Sequence, residues 1–442
     1  MKTHRRIVPL IIAFAATNAA VIVYFWWLGS NKFLFGTLGQ QLIALGRLSG
    51  LSLVFFVLLQ ILLIGRIGWL EKTFGFDKLA RLHHGVGFSL VILLLAHPFL
   101  LSFGYALRSS DTIFRQFLGF LAWEDVMKAF IATCLFILII VISALTVLKK
   151  LKYETWYFIH LIIYFAILLA FGHQLAVGRS LQDKTFAVYW VVLYAFVVLN
   201  LLYYRFFLPL LNHLKHSFRI EKVEYPTADC VSIYLSGNRL ERFRFAPGQF
   251  AIFRFLAKGF WHEAHPFSFS LLPDGRSLRI TVKDLGDYTG RMKNLKPGTP
   301  TIIDGPLGIF TLHRRTKDKI LLIAGGVGIT PIRALAEDAV KKSIDTVMLY
   351  GGRDTSSLVL KNELDGLAAS KHLRTHYVLS HQEDWGGEKG FIDDEKISRL
   401  VPDFADRDLY LCGPAPMLKT VLSLAKQLRI PKDQIHFEKF SL

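Results

Sequence analysis

The sequence predicts a multi-domain membrane protein with three parts: six transmembrane helices, a small antiparallel β-barrel and an α/β domain with a doubly wound parallel sheet. Three observations lead to this prediction. Only 19% of the 442 residues are charged and 52% are hydrophobic, whereas soluble domains average about 25% charged residues. Apolar stretches of membrane-spanning length fill the first half. In the second half, short alternating runs give way near residues 313–318 to strands that alternate with helical stretches.

The first half holds six candidate transmembrane helices. Each is close to the ~20 residues that a helix needs to cross about 30 Å of hydrocarbon. The first ends in the aromatic segment Tyr24–Trp27 rather than at a cleavage site, so we interpret it as a retained span and not as a signal peptide. The six stretches cover residues 7–28, 43–64, 83–104, 129–148, 155–177 and 186–208.

Lysine and arginine in the connecting loops predict the orientation. One set of alternate loops carries ten of these residues and the other carries six, which favours the richer set, and with it both termini, on the cytoplasmic side. Arg47 lies inside the second span and belongs to neither set. Six spans return the chain to the cytoplasm, so we expect a plasma-membrane protein with a soluble C-terminal half on that side.

Charge and cysteine content exclude other classes. The net charge of +18 is not gathered into Lys/Arg stripes, so membrane topology explains it better than nucleic-acid binding. The three cysteines, Cys134, Cys230 and Cys412, are far apart and form neither a disulfide framework nor a Cys/His zinc spacing.

Histidines inside the spans are the first functional signal, because an ionisable side chain at membrane depth is costly. His83 and His97 lie 14 residues apart on the third span, and His160 and His173 lie 13 apart on the fifth. Both separations correspond to roughly 20 Å along a helix. Two helices therefore supply one imidazole each at an inner and an outer level, which suits two stacked bis-histidine b-type haems. Zinc is the weaker alternative, since no carboxylate or thiolate accompanies them.

Helical geometry leaves two questions open. Thirteen residues miss the starting face by about 140° in an ideal helix, so either a bend at Gly172 turns His173 or the fifth helix lies between the two haems. His84 would give the same spacing of 13 to His97. Spacing therefore does not decide between His83 and His84 as the ligand.

A first motif in the second half is His265-Pro266-Phe267-Ser268. It resembles the flavin-binding R/H-P-[FY]-[ST] motif of the ferredoxin–NADP reductase superfamily. The resemblance implies that Phe267 packs near the isoalloxazine and that the Ser268 hydroxyl bonds near its N5 atom. The alternative is an ordinary barrel strand with a proline at its edge.

Flanking segments extend this resemblance. Residues 247–250 match the strand that precedes the motif, and residues 305–308 resemble the G-P-x-G of the same superfamily. A segment with Lys283, Gly286 and Thr289 resembles the one that contacts the FAD pyrophosphate.

A glycine-rich turn follows a buried strand at 321–331. Glycines let backbone amides approach a pyrophosphate, and the following helix N-terminus adds partial positive charge. The turn resembles the G-G-x-G-I-T-P of the reductase superfamily rather than a dehydrogenase G-x-G-x-x-G. The implied nicotinamide-cofactor residues are Gly325, Gly326, Gly328, Thr330 and Pro331.

Three more positions complete the resemblance. Cys412-Gly413-Pro414 follows a predicted strand, and the cysteine of relatives lies near the nicotinamide; a buried strand-end thiol is the alternative. Arg353 resembles a position near the adenosine, where it would favour the 2′-phosphate of NADPH, or it is an exposed turn arginine. Phe440 resembles the terminal aromatic that stacks on the flavin.

Together, the six spans, the histidine pairs and these motifs resemble the ferric reductase/NADPH oxidase superfamily, in a minimal and bacterial form. The resemblance implies a six-helix transmembrane haem-binding bundle (1–214), an FAD-binding β-barrel (215–315) and an NAD(P)H-binding domain (316–442). The expected function is electron transfer from cytoplasmic NAD(P)H through FAD and two b-haems to an extracytoplasmic small molecule. No obligate protein partner is indicated.

The acceptor stays open at this point. We expect O2, giving superoxide, with a ferric chelate as the alternative. Arg108 and Arg115 lie in a predicted outer loop, where they attract an anion or are simply solvated. Two rival functions are a haem subunit that serves a quinone or protein partner, and an anchored flavin reductase whose histidines are structural.

Overall fold

The computed structural model describes residues 2–148, 151 and 153–438. It divides into two compact units, Lys2–Tyr204 and Arg205–Leu442. The first unit is entirely helical. Its helices are α1 (Lys2–Leu34), α2 (Leu38–Ile64), α3 (Gly68–Phe74), α4 (Phe76–Ser109), α5 (Ile113–Leu121), α6 (Glu124–Val147), α7 (Tyr153–His160), α8 (Ile162–Val177) and α9 (Lys184–Leu202).

Among the described residues, six helical segments are long and apolar enough to cross a membrane, which confirms the predicted number of spans. They are Ile7–Leu34, Leu38–Ile64, Phe76–Ser109, Glu124–Val147, Thr155–Val177 and Lys184–His216. The charged loop at 149–152 used for the orientation lies mostly outside the described residues.

Helices α2 and α4 cross closely because glycines face each other. A Cβ added at Gly39 would lie 2.8 Å from the Gly104 carbonyl oxygen, and one added at Gly104 would lie 2.7 Å from the Gly39 oxygen. Small residues at such crossings allow membrane helices to approach backbone to backbone. This crossing holds α4, the helix that carries His83 and His97, against α2.

The second unit begins with α10 (Leu208–His216) and two three-stranded antiparallel sheets. One sheet has the order β1-β2-β5 and the other β4-β3-β6. Isolated bridges join Arg219 to Pro300 and Phe269 to Ile280, so each sheet edge has a contact with the other sheet. The bounds are β1 (Arg219–Thr227), β2 (Cys230–Ser236), β3 (Phe250–Phe255), β4 (His265–Ser268), β5 (Leu278–Lys283), α11 (Asp287–Arg291) and β6 (Thr301–Leu307).

A six-stranded sheet follows, with strand order β10-β9-β8-β7-β11-β12 and every pairing parallel. Alternate residues of its central strand enter different cores: Leu322 joins one hydrophobic cluster and Leu321 another. This burial on both faces confirms the predicted parallel α/β sheet. The elements are β7 (Lys319–Gly325), α12 (Ile329–Lys341), β8 (Thr346–Gly352), α13 (Lys361–Ala368), β9 (Leu373–Leu379), β10 (Glu388–Lys389), α14 (Asp394–Leu400), β11 (Arg407–Cys412), α15 (Ala415–Gln427) and β12 (Ile435–Glu438).

Candidate functional site

The structure brings the four predicted histidines together as two pairs. His83 on α4 faces His160 at the end of α7, with ring centroids 6.5 Å apart (the His83 pair). His97 on α4 faces His173 on α8, with centroids 6.4 Å apart (the His97 pair). The interplanar angles are 60° and 70°.

These separations fit one iron between two imidazoles. With metal–nitrogen bonds of ~2.0 Å, two rings on one iron have centroids about 6.3 Å apart. Zinc suits the pairs less well, because zinc sites take three or more protein ligands. Within the described residues, no group of three His, Cys, Asp or Glu side chains is placed to hold a metal.

Backbone contacts orient the two α4 histidines. His97 Nδ1 lies 2.7 Å from the Gly46 carbonyl oxygen, and His83 Nδ1 lies 3.4 Å from that of Gln60. A ring whose Nδ1–H donates to a carbonyl keeps its lone pair on Nε2, the atom left to bind a metal. The Gln60 amide also donates to the His83 carbonyl at 2.9 Å, so both histidines are held against α2.

The opposing histidines lack such partners. The Nδ1 atoms of His160 and His173 are buried and find no hydrogen-bond acceptor among the described residues. Buried polar atoms in native proteins are nearly always paired. These two nitrogens are therefore exceptions, and neither ring is committed through Nδ1 to another described residue.

The fifth span is interrupted at Leu161, between its two histidines. Helix α7 ends at His160 and α8 begins at Ile162, so the interruption falls directly after the first histidine. Helix α8 continues through Gly172 to Val177. The interruption thus lies eleven residues before Gly172, and the helix has no break at Gly172 itself.

His84 is exposed, and no contact between its ring and that of His160 is seen among the described residues. Its ring lies 6.2 Å from that of His83 in an edge-on arrangement, while His83 is the residue that faces His160. The geometry favours His83 as the inner ligand.

The predicted flavin motif forms β4, and two buried hydroxyl groups in this region have no hydrogen-bond partner among the described residues. The Ser268 hydroxyl is buried and has no hydrogen-bond partner in the described part of the chain. The same is true of the Tyr288 hydroxyl, whose ring lies 3.8 Å from that of His265. Phe267 is half-buried and Pro266 is exposed. These residues fit a flavin whose polar atoms would satisfy the two hydroxyls.

The predicted pyrophosphate segment is an exposed turn. The Thr289 hydroxyl accepts a hydrogen bond from the Leu285 amide at 2.9 Å, which fixes the loop between β5 and α11. No atom lies within 4 Å of a Cβ built on Gly286, so the space beside it is open. Lys283 is less available than expected, because its ammonium group pairs with Asp229 at 2.9 Å.

The glycine-rich turn requires glycine at two positions. A Cβ on Gly328 would lie 2.2 Å from the Cys412 carbonyl oxygen, and one on Gly325 would lie 2.7 Å from Pro414. Gly326 has a φ of +53° and open space beside it. The turn thus packs against the end of β11 and leads directly into the 13-residue helix α12, whose first turn contains Thr330 and Pro331.

Gly413 also lies against the turn, because a Cβ built on Gly413 would lie 2.9 Å from the Gly325 amide nitrogen. Cys412 is fully buried at the end of β11, and burial raises the pKa of its thiol well above the usual value. Arg353 is exposed in the turn after β8. Phe440 lies outside the described residues.

Three protein-family models match separate parts of the chain. Residues 45–171 match the family "Ferric reductase like transmembrane component", residues 215–309 an FAD-binding domain and residues 322–423 an oxidoreductase NAD-binding domain. This chain has a ferric reductase/NADPH oxidase-like architecture. The ferric reductase-like match covers both members of the His83 pair and reaches to two residues before His173.

Individual relatives resemble the second unit. The chain is 27% identical over 241 residues to a glycine betaine monooxygenase reductase subunit of Chromohalobacter salexigens, and 28% identical over 247 residues to a flavohemoprotein of Halalkalibacterium halodurans. Each match covers 51% of this chain and 64% or 59% of the relative, so the chain spans less than two thirds of either. The FAD/NAD-binding domain of Vibrio cholerae nitric oxide dioxygenase aligns with 51% of this chain and 99% of its own, at 22% identity and a TM-score of 0.46.

Sequence reasoning missed an ionic cluster in this ferric reductase-like chain. Arg279 on β5 is buried and donates two hydrogen bonds to the Glu363 carboxylate on α13, at 2.6 and 3.0 Å. Arg333 on α12 places its Nε 2.8 Å from the same carboxylate. Burial alone would raise the pKa of Glu363, but the two guanidinium groups outweigh it and hold that pKa below its usual range.

A second unpredicted feature lies at one end of the helical unit. The guanidinium groups of Arg47 and Arg108 lie 4.6 and 5.7 Å from the ring centre of Phe33. Arg108 also lines a cavity of about 500 Å³ with residues 37–40 and Leu107. The predicted outer loop is itself largely helical, since α5 occupies residues 113–121.

Proposed function

We propose that this protein is a membrane NAD(P)H oxidoreductase that moves electrons from cytoplasmic NAD(P)H through FAD and two bis-histidine b-haems to an acceptor on the opposite side. The observation that carries the proposal is the pairing of four imidazoles from two candidate membrane spans at iron-spanning distance, at two levels. The flavin and nicotinamide motifs of the second unit supply the other end of the pathway.

The domains would divide the work as the motifs divide the chain. Residues 1–214 would form the haem-binding bundle, 215–315 the FAD domain and 316–442 the NAD(P)H domain. The two antiparallel sheets, bridged at both edges, support closure of the FAD domain into a six-stranded barrel. When bound, the nicotinamide supplies a hydride, the flavin releases its two electrons singly, and haem iron carries one electron at a time.

The chain's own residues bind and orient these groups. His83 and His160 would hold the inner haem, and His97 and His173 the outer one. Ser268 and the Tyr288 hydroxyl would hydrogen-bond the flavin, and the open turn at Gly286 leaves room for its pyrophosphate. Thr330 and the glycine turn would present backbone amides to the nicotinamide cofactor. Arg353 would meet the 2′-phosphate of NADPH, and Phe440 would stack on the flavin.

O2 is the acceptor we propose, with superoxide as product. A ferric chelate is the second candidate, favoured by the match of residues 45–171 to ferric reductase-like membrane components. Neither acceptor calls for an acid or base from the chain, because the electron leaves from the outer haem. The bacterial plasma membrane, with both termini in the cytoplasm, is the location that fits this direction of transfer.

An anaerobic visible spectrum tests the proposal. The purified protein, supplied with FAD, receives NADPH first and dithionite second. Reduced b-haem bands after NADPH support the whole pathway. Loss of those bands in air with superoxide formed supports an oxidase, whereas slow loss in air and fast loss with a ferric chelate support a reductase. The absence of haem bands after dithionite would refute the proposal.

A His97→Leu variant separates this function from an anchored flavin reductase. Loss of His97 would remove one of the two imidazoles proposed to hold the outer haem, and reduction of an acceptor across the membrane would be lost with it. Reduction of the flavin by NADPH continues, because His97 lies in the helical unit. Unchanged transmembrane reduction would show that the histidines are structural.

A further inference from the structure

The ionic cluster around Glu363 ties together the two segments that carry the cofactor motifs. Ser270 lies two residues after Ser268 of the flavin motif, and Arg333 lies two residues after Pro331 of the glycine turn. Arg333 Nη1 reaches the Ser270 carbonyl oxygen at 3.4 Å. The cluster therefore spans from the end of the flavin strand to the first turns of the nicotinamide helix.

Arg279 is the part of the cluster that belongs to the flavin side. Its Nε donates to the Ser270 hydroxyl and its Nη2 to the Ser270 carbonyl, both at 2.9 Å. The Ser270 hydroxyl in turn contacts Thr281, which contacts Ser232. This buried chain of hydroxyls fixes the guanidinium of Arg279 relative to β2, β4 and β5.

Glu363 is the part that belongs to the nicotinamide side. It is one third exposed, whereas the two arginines that it bridges are 2% and 9% exposed. Without its carboxylate, Arg279 would be a buried cation whose remaining contacts are neutral oxygens. A buried ion pair adds little net stability. Its effect here is to hold the Arg279 and Arg333 side chains in one fixed arrangement around the Glu363 carboxylate.

The two sides are also joined at the connecting segment. The Thr316 amide and the Lys317 amide both donate to Asp408, and the Tyr410 hydroxyl donates to the Thr311 carbonyl. This second tie holds the linker to the α/β domain but does not involve β4 or α12. Without the Glu363 tie, the linker contacts, the Arg333–Ser270 hydrogen bond and the burial of Cys230 in the α/β core would remain, but no ion pair would join the two segments at Arg279.

We propose that Glu363 is a positioning residue for hydride transfer: by clamping Arg279 and Arg333 together, it fixes the nicotinamide turn against the flavin strand. This inference rests on the proposed function and identifies a residue that no cofactor motif contains. The hydride, one proton with two electrons, passes from the nicotinamide ring to the flavin and leaves the oxidised nicotinamide to dissociate. Glu363 takes no part in that exchange and acts only through the two arginines.

The test compares Glu363→Gln with Asp365→Asn. Asp365 is a matched control on the same helix, because its carboxylate pairs with Lys361 and Tyr377 inside the nicotinamide domain. At saturating NADPH we expect Glu363→Gln to reduce its flavin about 10- to 100-fold more slowly, since small misplacements of reacting groups have effects of that size. Asp365→Asn keeps the wild-type rate, and NADP⁺ binds both variants within about twofold of wild type.

A second measurement reports on the clamp without any turnover. Amide hydrogen exchange of the protein without nicotinamide should become faster around 268–281 and 329–333 in Glu363→Gln and stay unchanged in Asp365→Asn. If Glu363→Gln fails to fold, Glu363→Asp carries the test. It keeps the charge, but its shorter side chain cannot span both arginines, and we expect intermediate effects on both measurements.

Three results would overturn the inference: a wild-type flavin reduction rate in Glu363→Gln, an equal loss in Asp365→Asn, or unchanged exchange at 268–281. A slower rate that merely follows a smaller folded fraction would overturn it as well. Failure of the nicotinamide-to-flavin step of the proposed function looks different, because NADPH would then not reduce the flavin of the wild-type protein. The exchange comparison still decides for or against the clamp in that case.

Discussion

Gly50 on α2 offers a sharp test of the proposed outer haem. A Cβ placed there would lie 2.5 Å from Cε1 and 2.6 Å from Nδ1 of His97. The ring must withdraw by about 1 Å to reach an ordinary carbon contact of roughly 3.5 Å. It cannot swing freely, because its Nδ1 is held 2.7 Å from the Gly46 oxygen. Metal–ligand distances tolerate only about 0.2 Å, so Gly50→Ala should displace the ligand.

We therefore expect Gly50→Ala to bind one haem per chain instead of two, measured by haem extraction against protein concentration. The inner haem should still be reduced by NADPH, while reduction of the external acceptor falls to background. Gly85→Ala is the control, because no atom lies within 4 Å of a Cβ at that position on α4. It should keep both haems and be slightly stabilised, as alanine favours helices over glycine by about 1 kcal/mol. Two haems with unchanged spectra in Gly50→Ala would refute this reasoning.

Three further outcomes are expected. His83→Leu should lose one haem and His84→Leu should keep both, because only the first ring faces the opposing helix; equal losses in a haem assay would contradict this. Gly328→Ala should prevent NADPH from reducing the flavin while dithionite still reduces the protein, since the new Cβ would lie 2.2 Å from a carbonyl oxygen at the end of β11. Hydrogen bonding by Arg407 lowers the pKa of Asp403 to about 2, so this pair stabilises the fold above pH 4 and the stabilisation disappears as pH falls towards 2. Thermal unfolding of Asp403→Asn should accordingly show a smaller loss between those pH values than wild type.

The spans were predictable because hydrocarbon imposes its thickness on sequence. A run of about 20 apolar residues has few alternatives to a transmembrane helix. The parallel sheet was predictable for a related reason: strands buried on both faces appear as continuous apolar runs such as 320–324. The glycine turn was recognisable because backbone crowding of 2.2 Å at Gly328 excludes every other residue.

Edge strands and register were harder to predict. Strand β1 was missed because six of its nine residues are exposed or charged and one is Pro226, a composition typical of loops. The alternating run at 267–271 predicts a strand over those residues, but β4 occupies His265–Ser268. Its apolar run continues past the strand end through Phe269, which is buried in the core of the FAD-domain sheets.

The Glu363 cluster was invisible in the sequence for a different reason. Its two interdomain partners are 84 residues apart in the chain, and the position of each is set by a separate strand or helix. A charge run or motif spacing reports only on residues that share an element. Only the folded structure, in which side chains of β5, α12 and α13 come into contact, shows that the Glu363 carboxylate pairs with the guanidinium groups of Arg279 and Arg333.

The histidines of the third and fifth spans are separated by 14 and 13 residues, and these two separations place different demands on the helices that carry them. On α4 a separation of 14 residues returns to within about 40° of the same face, so one continuous helix presents both His83 and His97 to the opposing span. On that span a separation of 13 would direct the second ring about 140° away. Leu161 keeps a right-handed helical conformation, with φ of −64° and ψ of −19°, so the one-residue interruption between α7 and α8 supplies only a small part of this rotation. His160 and His173 nevertheless face His83 and His97 with ring centroids 6.5 and 6.4 Å apart. The fifth span therefore presents its two histidines to α4 from different faces, whereas α4 presents its own two from nearly the same face.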